Sequence, residues 1–358
     1  MPHANSSVGH GRGYAIVGLH GFALLTAGAT FVLIFVGGLV TSTGSGLAVP
    51  DWPLSFGQVF PPMVGGVLYE HGHRLTAAFV GLLTTVLAVW IWVRERRAWV
   101  RGLGVGALFA ILLQGLLGGL TVLYLLPTPV SVAHALLAQV FFCLTVTLAV
   151  VTGPGWVRQA GLSARRVHPG LPTLCALTVG AIFGQLILGA VMRHTGAGLA
   201  IPDFPLAFGR LLPPLDSEAV LIHFLHRVGA VVVTACVGGT LAWILARHRR
   251  DAWLLRPALA AAGLLLAQLA LGALTIWTQK AVLPTTAHVA VGAALLATIF
   301  PVRSWTITPS AMAATTERKR SSLSRLAISA RCRRLRSTAS PSARSTAGTR
   351  RCSRCLSR

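Results

Sequence analysis

The sequence predicts an all-α integral membrane protein, with eight transmembrane helices arranged as two parallel-related four-helix bundles. Three observations carry this fold class. Of 358 residues, 54% are hydrophobic and 11% charged, whereas soluble domains carry roughly a quarter charged residues. Apolar runs of spanning length recur along the chain, and mean hydropathy is +0.71; a spanning helix needs about 20 apolar residues. Two proline-rich segments, TGSGLAVPDWPLSFGQVFPP from Thr43 and TGAGLAIPDFPLAFGRLLPP from Thr195, align without a gap.

Residues 1–13 are polar and small and are read as a cytoplasmic N-terminus. Apolar runs follow near 14–40, 73–93, 103–125, 132–151, 171–192, 224–246, 257–278 and 286–302. The first is long enough to span, so it reads as a retained helix and not a cleaved signal peptide. Arg94, Arg96, Arg97 and Arg101 follow the second run, Arg158, Arg165 and Arg166 the fourth, and Arg247, Arg249, Arg250 and Arg256 the sixth. Excess Lys/Arg marks the cytoplasmic side. Both termini are therefore expected in the cytoplasm of a plasma-membrane protein, with the long loops 41–72 and 193–223 outside.

The repeat divides the chain into a first half, 14–151, a cytoplasmic linker, 152–170, and a second half, 171–302. Asp51 aligns with Asp203, Trp52 with Phe204, His73 with His226, Gln114 with Gln268 and His134 with His288. Hydrophobic segments that match by chance do not keep Pro, Asp, Gln and His in one order. Four helices per half is an even number, so the halves share one orientation, unlike inverted-repeat transporters.

The net charge of +23 resembles a nucleic-acid signal, but 14 of the 31 Lys+Arg lie between Arg303 and Arg358 and most others lie between apolar runs. The expected partner is the lipid bilayer, and no nucleic acid. The segment 303–358 is rich in Arg and Ser without apolar periodicity. It reads as an unstructured tail or a shifted reading frame, ahead of a basic arm on anionic lipid. Cys143, Cys175 and Cys236 lie in apolar runs and read as small hydrophobes. Cys332, Cys352 and Cys355 are in the tail, so no disulfide framework is indicated.

Chemistry concentrates in YEHGHR, residues 69–74, and its repeat IHFLHR, residues 222–227. Ionisable groups at membrane depth are costly and suggest function. The repeat selects His73, His134, His226 and His288, each near the start of an even-numbered run, so all four lie toward the outer face. In each half the two come from different helices, which suits axial ligation of one heme iron. Two halves imply two hemes. Gly37, Gly38, Gly115, Gly118, Gly119, Gly189 and Gly272 permit either close helix packing or room for a flat macrocycle. Arg74 and Arg227 follow ligand candidates and are read as propionate partners. Glu70, one turn before His73, reaches the edge of a macrocycle, to remove a proton or stabilise positive charge there. His71 turns elsewhere. Glu70 has His223 as its counterpart, so the halves are not equivalent. Asp51 and Asp203 read as turn or cap residues, Trp52 and Phe204 as interfacial anchors, and His20 as a packing residue.

With E-x-x-H-R opening the second run, H-R opening the sixth, histidines in the fourth and eighth, and TGSGLAVPDWPLSFG between, the chain resembles the heme A synthase family over about residues 14–302. The resemblance implies an oxidoreductase that converts the C8 methyl of heme O to a formyl group, giving heme A for terminal oxidases. It implies that His73 and His134 hold substrate heme O, that Glu70 is the catalytic carboxylate, and that His226 and His288 hold a heme b cofactor. Heme O synthase, terminal oxidase assembly and an unidentified electron donor are the implied partners. Many members carry a cysteine pair in an outer loop, and loops 41–72 and 193–223 have none. The alternative reading is a bis-histidine diheme b-type cytochrome that only carries electrons, in which Glu70 has no evident role.

Overall fold

The computed structural model describes residues 7–159 and 170–301, and among these the chain forms nine α-helices and no strand. They are α1 (Ser7–Ser42), α2 (Gly66–Arg94), α3 (Ala98–Leu123), α4 (Thr128–Thr152), α5 (Pro154–Gln159), α6 (Gly170–His194), α7 (Glu218–His248), α8 (Ala252–Trp277) and α9 (Val282–Pro301). All but the six-residue α5 contain a stretch long and apolar enough to cross a membrane. Lipid offers no hydrogen-bond partners, so a spanning segment must satisfy its backbone internally, and a helix does so. The tail 303–358 with its three cysteines, and the linker arginines Arg165 and Arg166, lie outside the described residues.

The spanning helices all start ahead of their apolar runs, α2 and α7 most consequentially. α2 begins at Gly66 and not near 73, and α7 at Glu218 and not near 224. The polar side chains of YEHGHR and IHFLHR are therefore helical, because loop groups satisfy them. Ser217 starts α7 by accepting the Val220 amide at 3.3 Å, and Asp251 starts α8 by accepting the Trp253 amide at 3.1 Å. Such caps satisfy the free amides of a first turn.

Helices α1 to α4 form a ring, with α1 against α2 and α4, and α3 against the same two. Val80, Leu87, Ile91, Val100, Phe141 and Leu148 fill it. In the second half α7 packs between α6 and α8. Its core contains Val179, Ile182, Val237, Ala261, Leu296 and Ile299, but also Ile34 of α1 and Phe142 of α4. The halves thus share a core through α1, α4 and α9. Cys143 and Cys175 are buried free thiols there and Cys236 is half-buried, as small apolar side chains are. His20 is a packing residue whose Nδ1 meets Ala149 O at 2.9 Å.

The two long loops have one conformation. Asp51 accepts the Phe56 and Gly57 amides at 2.7 and 2.8 Å, and Asp203 accepts those of Phe208 and Gly209 at the same distances. Phe56 and Phe208 both have φ of 54°, followed by glycines at 68° and 70°. A bulky residue at positive φ is strained, and the double carboxylate cap holds it there. The indole of Trp52 lies on the backbone of α3, where a Cβ at Gly119 would come within 2.7 Å of the ring. Phe204 meets Trp277 edge-on at 6.0 Å.

The Gly57 amide, then the Phe56 amide, holds the Asp51 carboxyl below its usual range; Gly209 and Phe208 do so for Asp203 against desolvation. A depressed folded pKa gives stability that is present above the unfolded pKa, about 3.9, and lost as pH falls through the folded value. Exchange protection at these four amides is therefore expected to persist as pH falls through 4 and to disappear well below it. In Asp51→Ala it is absent from Phe56 and Gly57 at every pH while Phe208 and Gly209 stay protected. Hydrogen–deuterium exchange in nanodiscs reads both.

Candidate functional site

The first half builds its site from the loop-end turns of α2 and α4. Glu70, His73 and Arg74 share the face of α2 that meets the loop and α1. Glu70 is 4% exposed, and both carboxylate oxygens are engaged. The Val49 amide donates to Oε2 at 2.8 Å, and Arg74 Nη2 pairs with Oε1 at 2.7 Å. Arg74 also donates to the carbonyls of Asp51 (2.7 Å), Leu54 (2.8 Å) and Val49 (3.3 Å). His71, which the sequence leaves as a bystander, is sealed under the loop at 5% exposure and shares a 2.8 Å hydrogen bond with Ser55 through Nδ1.

The second half repeats this clamp with different side chains. The Ile201 amide, equivalent to that of Val49, donates to His223 Nδ1 at 3.2 Å. Acting as acceptor fixes that imidazole as neutral, with its proton on Nε2. Arg227 donates to the carbonyls of Leu206, Asp203 and Ile201 at 2.7, 2.6 and 3.2 Å. Among the described residues no carboxylate pairs with it, and its Nε is buried without a hydrogen-bond partner. In both halves the Nη donors serve the loop, so an anionic ligand would find only what remains of the guanidinium. Ala207 and Phe224 occupy the places of Ser55 and His71.

The four repeat-selected histidines are arranged differently from His71 and His223. Each is only half-buried within its span, and each meets a glycine of the preceding helix edge-on. A Cβ on Gly37 would lie 3.0 Å from His73 Cε1, on Gly118 3.2 Å from His134, on Gly189 3.1 Å from His226 and on Gly272 3.1 Å from His288. Those distances are tighter than ordinary packing allows, so the glycines set where the rings sit. His226 and His288 meet edge-to-face, with centroids 6.4 Å apart and ring planes at 66°. His73 and His134 are close enough to interact electrostatically.

Glutamines attach to three of the rings' residues. Gln114 Nε2 donates to His134 O at 2.9 Å and Gln185 Nε2 to His226 O at 2.8 Å. His288 Nδ1 donates to Gln268 O at 3.1 Å. That last bond leaves His288 Nε2 as the lone-pair nitrogen, the arrangement usual for a ligating histidine, and Gln268 Nε2 stands 3.3 Å from it.

A family model described as cytochrome oxidase assembly protein (COX15-CtaA) matches residues 20–300. The chain belongs to this family. Its relatives include proteins named heme A synthase from Symbiobacterium thermophilum, 33% identical over 72% of this chain and 85% of its own length. The protein of that name from Shouchella clausii is 30% identical, over 74% and 89%. That from Halalkalibacterium halodurans is 32% identical, over 63% and 76%.

The paired histidines fit a metal in a macrocycle better than a metal held by protein alone. Among the described residues no three His, Cys, Asp or Glu gather as a metal-ligand group; axial ligation of a macrocycle needs only a pair. Two imidazoles on opposite faces of one metal, each bonded at about 2 Å, put their centroids roughly 6 Å apart, in agreement with His226 and His288. Buried atoms without partners, among them His73 Nδ1, His134 Nδ1, Gln114 Oε1, Gln185 Oε1 and Gln268 Oε1, gather around the pairs.

The sequence missed Ser55 and Gln185, left His71 as a bystander, and marked His223 only as the counterpart of Glu70. Ser55 with His71 had a signal, because both change together to Ala207 and Phe224 in the repeat. Ser55→Ala alone should destabilise the protein by about 1–3 kcal/mol, since it strands a buried imidazole nitrogen. The double variant Ser55→Ala/His71→Phe, copying the second half, should recover most of that loss. Thermal unfolding of the set gives the coupling, and additive losses would contradict it.

Proposed function

We propose that this chain is a heme A synthase that oxidises the C8 methyl of heme O to a formyl group, supplying heme A to terminal oxidases. The observation that carries this is the asymmetry between two otherwise repeated sites: a fixed carboxylate, Glu70, stands beside one histidine pair and a neutral histidine, His223, beside the other. A simple electron carrier needs no such difference. Membership of the family supports an oxidoreductase role in heme A formation.

In this reading His73 and His134 bind the substrate, and His226 and His288 hold heme b, which supplies a one-electron redox centre. Converting a methyl to a formyl group is a four-electron oxidation that needs an external electron acceptor and an oxygen source. A step in which the carbon gives up an electron pair with its hydrogen would develop positive charge on it. Glu70 is placed to stabilise such charge: its carboxylate accepts from an amide and a guanidinium, so it is held in one position as an acceptor only. Arg74 orients it and ties it to the loop, and the loop excludes water over His71. His73 and His134 would hold the macrocycle, and Glu70, one turn before His73, would then stand beside it. The long-loop end faces outward and the arginine-rich ends face the cytoplasm, as the loop charges require. Heme O synthase is the expected supplier of substrate.

Glu70→Gln keeps an acceptor for the Val49 amide but removes the charge. It is expected to retain both hemes and to lower heme A formation by about 100-fold or more, the size of losses when one charge-stabilising group is removed from an active site. Chromatography of hemes extracted from a host with a terminal oxidase reads the result, and undiminished heme A excludes the role. His226→Ala and His288→Ala are each expected to lose heme b while heme O stays bound in the first half. Heme b retained in either would contradict the cofactor assignment.

A further inference from the structure

We propose that Arg193, at the end of α6, is a positioning residue that joins the two histidine pairs and sets the reduction potential of the heme held by the second. This rests on the proposed assignment of a redox heme to His226 and His288.

Arg193 Nη2 donates to Gly38 O at 2.9 Å and to Ser42 Oγ at 2.8 Å, both on α1. Ser42 Oγ also accepts from Thr286 Oγ1 on α9 at 2.9 Å. The Gly37–Gly38 stretch lies between the two sites: a Cβ on Gly37 would come 3.0 Å from His73 Cε1, and a Cβ on Gly38 3.0 Å from Thr286 Cγ2. Thr286 stands two residues before His288 on the same helix. One peptide thus has a ligand of the first site against one residue, and Arg193 with the start of α9 against the next.

The cation is also unusual. The ion pairs among the described residues are Glu70–Arg74 and Glu95–Arg97, so no carboxylate pairs with Arg193 there. Buried charges ordinarily pair. Through Ser42 and Thr286, Arg193 is linked to the turn of α9 that carries His288. Its place in the first half is taken by Thr41, so the charge occurs once, at the junction of the halves. Reducing a heme iron lowers its positive charge by one unit, and a nearby fixed cation favours that change. At an effective dielectric of about 20, a unit charge in such surroundings shifts the balance roughly tenfold.

The test uses the full chain in nanodiscs, loaded with heme b and heme O. Spectra of the unaltered protein come first, and absence of a bis-histidine heme at His226 and His288 would overturn the functional reading and this inference together. With that heme present, spectroelectrochemical titration of Arg193→Gln should give its midpoint lower by about 59 mV, the one-electron equivalent of a tenfold shift. Arg193→Lys should restore it. Ser42→Ala, which leaves the charge in place, should leave the midpoint unchanged. The electron paramagnetic resonance g-values of the heme at His73 and His134 should also move in Arg193→Gln, because Gly38 loses its donor. An unaltered midpoint, an equal fall in Ser42→Ala, or a change confined to one site would overturn the proposal. If Arg193→Gln holds no heme, Arg193→Met is compared: heme kept by the lysine variant alone supports a required charge, and heme lost from the lysine variant too overturns it.

Discussion

A guanidinium within a membrane span must find acceptors, and this structure solves that requirement twice in the same way. Arg74 and Arg227 each reach out of a helix and gather the carbonyls of the loop folded over it. The loop in turn orders itself around an aspartate that accepts two of its amides. Removing either part leaves the other unsatisfied, since loop carbonyls without donors and a cation without acceptors are both costly where water is scarce. Helix, arginine and loop therefore form one unit, and the histidine preceding each arginine takes its position from it.

On this common frame the halves differ at few positions. Where Val49 N–H meets a carboxylate, Ile201 N–H meets an imidazole. Where Ser55 and His71 share a hydrogen bond, Ala207 and Phe224 meet without one. Polar groups changed in pairs, as they must when burial makes a single unpartnered one expensive. The glycine-against-histidine contacts, by contrast, are the same at all four sites. The arrangement of the rings is common to both halves, and the chemistry beside them is not.

Much of this was legible in the sequence because it is carried by spacing. The repeat singled out the four histidines and the aspartates, and hydropathy identified the eight spans. Helix starts were misjudged at α2 and α7, since polar residues end an apolar run but do not end a helix whose side chains are satisfied from outside. The arginines were read as facing a ligand; their contacts with loop carbonyls depend on how the loop folds back, which spacing does not encode. Arg193 left no signal at all. Its partners on α1 are about 150 residues away, and its counterpart Thr41 removed it from the repeat that singled out the rest.

The clamp of the second half has a use beyond its own stability. Because its loop has the same backbone and the same aspartate cap, every polar group of the first site can be matched with its substitute within one molecule, at one pH and in one lipid. The Ile201 amide, which donates to His223, stands where the Val49 amide donates to Glu70. A duplicated fold of this kind keeps, beside its carboxylate-bearing site, a near-copy that differs from it at a few buried side chains.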